Sequence, residues 1–166
     1  MTGGTITANT SNMSGGGVRT SHDNGRFNME NGTISFNRAN RGSCGGVSVD
    51  RCHFVMTNGT INNNTAGDNG GAVESYDYTA SFIMSGGTIR GNEAESNGGG
   101  VLVYHGRFIK QPGAIIYGNN EGANSNIARK DGRGHAVLHW WGTNNRNEYN
   151  NTLRLNDTLT INPDRG

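Results

Sequence analysis

The sequence predicts an all-β chain wound as a single-stranded parallel β-helix of about five coils, and three observations predict it. The first is a repeat. Phe27–Ile34 reads FNMENGTI, Phe54–Ile61 reads FVMTNGTI and Phe82–Ile89 reads FIMSGGTI, while Met1–Ile6 is the same unit without its head. Ile6, Ile34, Ile61, Ile89 and Ile116 recur every 27 or 28 residues, and a fixed period of this length marks a solenoid. The second is the apolar rhythm inside the repeat: Phe82 with Met84, then Val101 with Val103. That is a strand period of two, not a helical period of 3.6. The third is composition. Gly contributes 28 of 166 residues and Asn 25, with 31% hydrophobic residues, 16% charged residues and a net charge of +1. Weak charge argues against disorder, and Gly with Asn suits tight turns between short strands.

Each coil is expected to carry three short strands, F-x-M, G-T-I and V-x-V. Equivalent residues of successive coils then lie about 4.8 Å apart, the spacing of paired strands. Phe27, Phe54, Phe82 and Phe108 stack in one core column, Met29, Met56 and Met84 in another. Ile34, Ile61 and Ile89 supply the second wall, and Val47, Val73 and Val101 the third. Three residues after each Ile stands an Asn: Asn9, Asn37, Asn64, Asn92 and Asn119. Stacked at a turn, these amides are expected to form a structural ladder of hydrogen bonds. The glycines before each Val allow close packing and positive φ.

The repeats occupy residues 1–137, and residues 138–166 are read as a C-terminal capping segment of the same domain. Leu153, Leu155, Leu159 and Ile161 alternate as a closing strand pair around Asn156–Asp157. The chain opens inside a repeat, because Met1 matches Met29, Met56 and Met84. An open first coil leaves strand edges that could pair with another chain.

Candidate sites are few. His135, His139, Trp140 and Trp141 form the one aromatic cluster. Its rings could stack on a sugar or a partner, or cover the core at the last coil. Alternation from Val137 turns His139 and Trp141 inward and Trp140 outward. Asp23, Asp50 and Asp77 are each 27 apart and would make a carboxylate column in a strict coil, but their offsets from the preceding Val are five, three and four. Unequal offsets favour separate loop charges over a shared site. Cys44 and Cys52 flank one extended strand, which opposes a disulfide between them. No nucleotide, metalloprotease or serine-hydrolase motif occurs, so neither a catalytic residue, a metal site nor a cofactor is assigned.

The I-x-x-N and G-G-A/G-V pair resembles the F-x-x-N and G-G-A-I repeats of chlamydial polymorphic outer-membrane proteins. The fuller F-x-M-x-G-G-T-I-x-x-N unit is similar to repeats in surface proteins of spirochaetes and gut bacteria. The resemblance covers Met1 to Val137 and departs from the first family in using Ile for its Phe. It implies a right-handed helix, a bacterial cell-surface or extracellular location and adhesive use.

The function expected is a non-enzymatic module for adhesion, recognition or a structural stalk, with a glycan or a host or neighbour protein as partner. One alternative is a self-assembling fibre subunit joined through the open N-terminal coil. The other is a polysaccharide lyase or hydrolase, which needs clustered carboxylates with Arg or Lys on one face. The near-neutral charge argues against nucleic acid, and no apolar run reaches the roughly 18–20 residues of a membrane span.

Overall fold

A computed structural model describes residues 1–130, 133–141 and 145–162; of Trp141 and Asn145 it describes the backbone alone. The chain is a parallel β-solenoid of four complete turns and three strands of a fifth. Four sheets run along its length, not three. The first stacks Thr5–Thr7, Thr33–Ser35, Thr60–Asn62, Gly87–Arg90 and Ala114–Ile116. The second stacks two-residue strands at the N-x-A position: Thr10–Ser11, Arg38–Ala39, Thr65–Ala66, Glu93–Ala94 and Ile127–Ala128. The third carries Val18–Thr20, Val47–Val49, Val73–Ser75, Val101–Val103 and Val137–Trp141. The fourth carries Arg26–Met29, His53–Met56, Ser81–Met84 and Arg107–Lys110. The second sheet escapes a sequence reading because two residues show no alternation.

Register follows the repeat. Ile6 pairs with Ile34 and Ile34 with Ile61, Phe54 with Phe82, and Val73 with Val101. Like side chains therefore sit one rung apart inside the coil. The phenyl rings stack at centroid distances of 5.2, 4.6 and 5.3 Å from Phe27 to Phe108. From the second turn on, the Phe, Met, Ile and Val columns are fully buried.

The amide ladder exists, with one rung corrected. Asn64 donates its Nδ2 to Asn92 Oδ1 and to Ile34 O, both at 3.0 Å, and accepts from the backbone N and Nδ2 of Asn37. Asn92 passes the pattern to Asn126, not to Asn119. Asn119 is half-buried and its backbone N–H donates to Asn150 O. The extra residues of the fifth turn, including a 3₁₀ turn at Gly122–Asn124, fall between Ile116 and the ladder Asn. The N-x-A signature of Asn126–Ala128 marks the true rung. In the first four turns the left-handed residue of the bend is the one before the Asn: Ala8, Phe36, Asn63 and Gly91 all have φ between 54° and 63°. Phe36 is there at 62% exposure, pushed out of the core by the bend.

The glycines before Val serve close approach. A β-carbon on Gly46 would sit 2.3 Å from Ala72 O, because the next turn's backbone passes directly over it. Positive φ falls three residues before Val, at Gly15, Gly70 and Gly98, and Cys44 takes the same position at φ 65°. Both cysteines are free and buried.

The C-terminal segment closes the solenoid differently from the expected strand pair. Asn145–Tyr149 runs antiparallel to Val137–Trp141. Leu159–Ile161 runs antiparallel to Arg107–Lys110 and sets Ile161 on Phe108. Leu153 bridges Ile116, and Leu155 is exposed. Each piece thus caps a different sheet. Among the described residues no helix is long and apolar enough to cross a membrane.

Candidate binding groove

The outward positions of the third sheet form a register row: Arg19, Ser48, Glu74, Leu102 and Leu138. Strand alternation turns these side chains away from the core. Ser48, Glu74, Leu102 and Leu138 are nonetheless buried, Glu74 to 4% exposure. The reason is the height of the loops on either side of this sheet. They wall a groove of about 370 Å³ lined by Ser14, Ser43 and Asp68 on one side, by Asp50, Tyr76 and Tyr104 on the other, and floored by Arg19, Ser48 and Glu74.

The second wall is a column of its own. Asp50 N–H donates to Thr20 O, Tyr76 N–H to Val49 O and Tyr104 N–H to Ser75 O, so these residues occupy one level of successive turns, three positions after each Val. Trp140 continues the column, stacking on Tyr104 at 5.8 Å and 25°. Tyr76 meets Tyr104 edge to face at 5.3 Å and 67°. The guanidinium of Arg146 lies 5.9 Å over the Trp140 ring. A continuous aromatic row thus flanks the register row of Glu74, Leu102 and Leu138. Tyr78 stacks on His105 at 4.3 Å just beyond it.

Burial dominates the electrostatics. It pushes the Glu74 carboxyl up to about 7, with Asp68 and Asp50 adding to the rise and the Ser43 hydrogen bond and Arg19 opposing it. Burial, with Glu74 and Asp68 behind it, also raises the Tyr104 phenol above its ordinary value. The Cys44 thiol, buried beneath the groove, is raised by the same two causes, burial first and Glu74 second. Folded Glu74 therefore keeps a proton between its ordinary value of 4.5 and about 7 that the unfolded chain has released. Its stabilising contribution is complete below the lower value and lost as pH rises through the upper one. Glu74→Gln should abolish about 3 kcal/mol of stability loss between pH 4.5 and 8, read as denaturant midpoints at several pH values.

The residues singled out from sequence are dispersed. Of the Trp–His cluster, Trp140 joins the aromatic row, whereas His139 is buried in register with Val103. The Nδ1 of His135 accepts from Ala128 N–H at 3.2 Å, a contact that belongs to the fifth turn's own frame. The side chain of Trp141 lies outside the described residues. Asp23, Asp50 and Asp77 do not form a column, because Asp50 lies level with Tyr76. Arg51 bridges Asp23 at 3.2 Å and Asp50 at 3.5 Å. Asp77 closes a turn on Thr79 N–H, which holds its carboxyl below the usual range. Asp50 alone of the three reaches the groove. Ser14, Ser43, Asp68, Glu74 and Tyr76 were not assigned from sequence as parts of one site. Counting three residues on from each Val, instead of a flat 27, would have found the Tyr–Tyr–Trp column.

Among the described residues no three His, Cys, Asp or Glu side chains are placed to hold a metal ion. The groove itself is lined by carboxylates, hydroxyls, one guanidinium and aromatic rings. No protein-family model, curated protein or solved structure matches the chain.

Proposed function

We propose that this chain is a non-enzymatic recognition module of a bacterial surface protein, an adhesive β-helix that holds its partner in the groove over the third sheet. The observation that carries the reading is the groove itself. Its floor changes from Arg to Ser to Glu over three turns and its wall from Asp to Tyr to Tyr. A site that differs at each rung suits one particular partner better than a repeated ligand. Its volume is in the range of small-ligand sites, which combine aromatic walls with a few convergent polar groups. The repeat resemblance supports the surface location.

Glycan and peptide arrays probed with the intact chain test the reading. Binding is expected, and Tyr104→Ala should weaken it about tenfold, the usual effect of truncating an aromatic anchor at the centre of a site. Unchanged binding by Tyr104→Ala would move the site away from the groove.

One observation favours a hydrolytic second reading. Glu74, held protonated near neutrality, shares the groove with Asp50 and Asp68, and an acid paired with a second carboxylate is the requirement of glycoside hydrolysis. Release of reducing ends from an array-positive glycan, lost in Glu74→Gln, would select it.

A further inference from the structure

We propose that the groove is a receptor for a primary ammonium group on an aliphatic stem, the group a lysine side chain of a partner polypeptide presents. The proposal rests on the groove being the binding site and names what it binds.

The charge inventory comes first. Asp50, Asp68 and Glu74 line the groove against Arg19 alone. Asp50 already shares Arg51 with Asp23. No ion pair among the described residues includes Asp68 or Glu74. Glu74 is the unusual member, a carboxylate 4% exposed on the groove floor that receives the Ser43 hydroxyl and feels the charge of Arg19 without a contact ion pair to it. An ionised carboxylate has about four acceptor positions, so one hydroxyl leaves most of them for a guest. An ammonium brings three donors and the missing charge. A neutral sugar hydroxyl brings one donor and no charge.

The aromatic wall points the same way. Tyr76 and Tyr104 stand edge to face, so their rings make a corner, and a cation against aromatic faces is attracted by their quadrupoles. The row already receives a cation at its far end, where Arg146 covers Trp140. An ammonium at the Tyr76–Tyr104 corner would repeat that contact with Glu74 beneath it. The serines of the other wall, Ser14 and Ser43, offer hydroxyls to the backbone that carries the stem.

The groups that face Glu74 set the pH dependence. Asp68 and Asp50 disfavour its charge, Arg19 favours it, and the Cys44 thiol and Tyr104 phenol, both raised above their ordinary values, stay neutral throughout. The lysine ammonium remains charged across the same range. Affinity should therefore rise with pH as Glu74 ionises.

The test is calorimetric titration of the full chain with acetyl-Gly-Lys-Gly-Lys-Gly-amide, with its Nε-acetylated form, and with cadaverine, at pH 5.5 and pH 8. The lysine peptide is expected to bind at least tenfold more tightly than the acetylated one at pH 8, and about tenfold more tightly at pH 8 than at pH 5.5. Glu74→Gln should erase the pH difference and cut the preference over the acetylated peptide to a few-fold, and Asp68→Asn, on the groove wall, should weaken binding severalfold while leaving the buried floor intact. Cadaverine equal to the peptide would keep the ammonium site and assign it to free amines. Equal binding of the acetylated peptide, or no binding of any amine, overturns the proposal. Tyr104-dependent capture of a neutral glycan in that event leaves the recognition function standing and removes only its cationic ligand.

Discussion

Replacing Asn64 with leucine is expected to destabilise the solenoid by about 3–5 kcal/mol, a third or more of the stability of a typical domain. The two side chains are similar in size, so the loss is one of hydrogen bonds and not of packing. Asn64 Oδ1 accepts from Asn37 N–H and Nδ2, and its own Nδ2 satisfies Ile34 O. All these groups are buried. Leucine takes their side-chain partner from the Asn37 backbone N–H and the Ile34 carbonyl and one of two acceptors from Asn37 Nδ2, which keeps Ile6 O, and each buried orphan costs about 1–3 kcal/mol. The backbone N–H of Asn64 still reaches Asn92 Oδ1, so the damage stops one rung above. Asn9 is exposed at the first turn and has one neighbour in the ladder. Asn9→Leu should change stability by less than about 1 kcal/mol. Urea midpoints compare the two variants, and amide exchange at Asn37 shows whether the bend opens locally. Equal effects at both positions would mean that the ladder acts through the unfolded chain.

The contrast between those positions explains what was legible in the sequence. A solenoid places each repeated residue directly over its predecessor, so the Phe, Met, Ile and Val columns can be read as spacings. The Asn ladder is legible for the same reason until the loop before Asn126 lengthens. There the count from Ile116 selects Asn119, and only the hydrogen-bonding requirement, an amide two residues before a buried small side chain, selects Asn126. The groove was illegible for a different reason. That Glu74 points away from the core follows from alternation, but that it is nonetheless buried depends on how high Ser43, Asp68 and Tyr76 rise beside it. Loop height is a property of non-repeating segments, which carry no column to read. The closing strands failed likewise, since Leu159–Ile161 finds its partner 49 to 53 residues back at Arg107–Lys110 and not in its own hairpin.

Lys110 carries the second large effect. It stands where the preceding turns have Met29, Met56 and Met84, in register with Met84, and is 1% exposed. Its stem fills the core column, and its Nζ donates to Arg154 O at 2.8 Å, Asp157 O at 2.6 Å and Gln111 O at 3.3 Å. Burial lowers its proton affinity and the charge of Asp157 opposes that. The three carbonyls use all three ammonium donors. A methionine here would continue the column but could not hold the turn between Leu153 and Leu159–Ile161, whose carbonyls point inward at the end of the core. Lys110→Ala should cost about 4 kcal/mol, from the cavity together with the lost charge-assisted bonds. Lys110→Met keeps most of the volume and should cost about 2 kcal/mol. In both variants amide protection is expected to fall first in Leu159–Ile161, with Phe108 and Ile161 losing their contact while the inner turns stay closed. A methionine variant as stable as the parent would mean that water serves those carbonyls equally well and that strand pairing alone holds the cap. The ordered loss, cap before core, is what distinguishes a polar latch from one more rung of the stack.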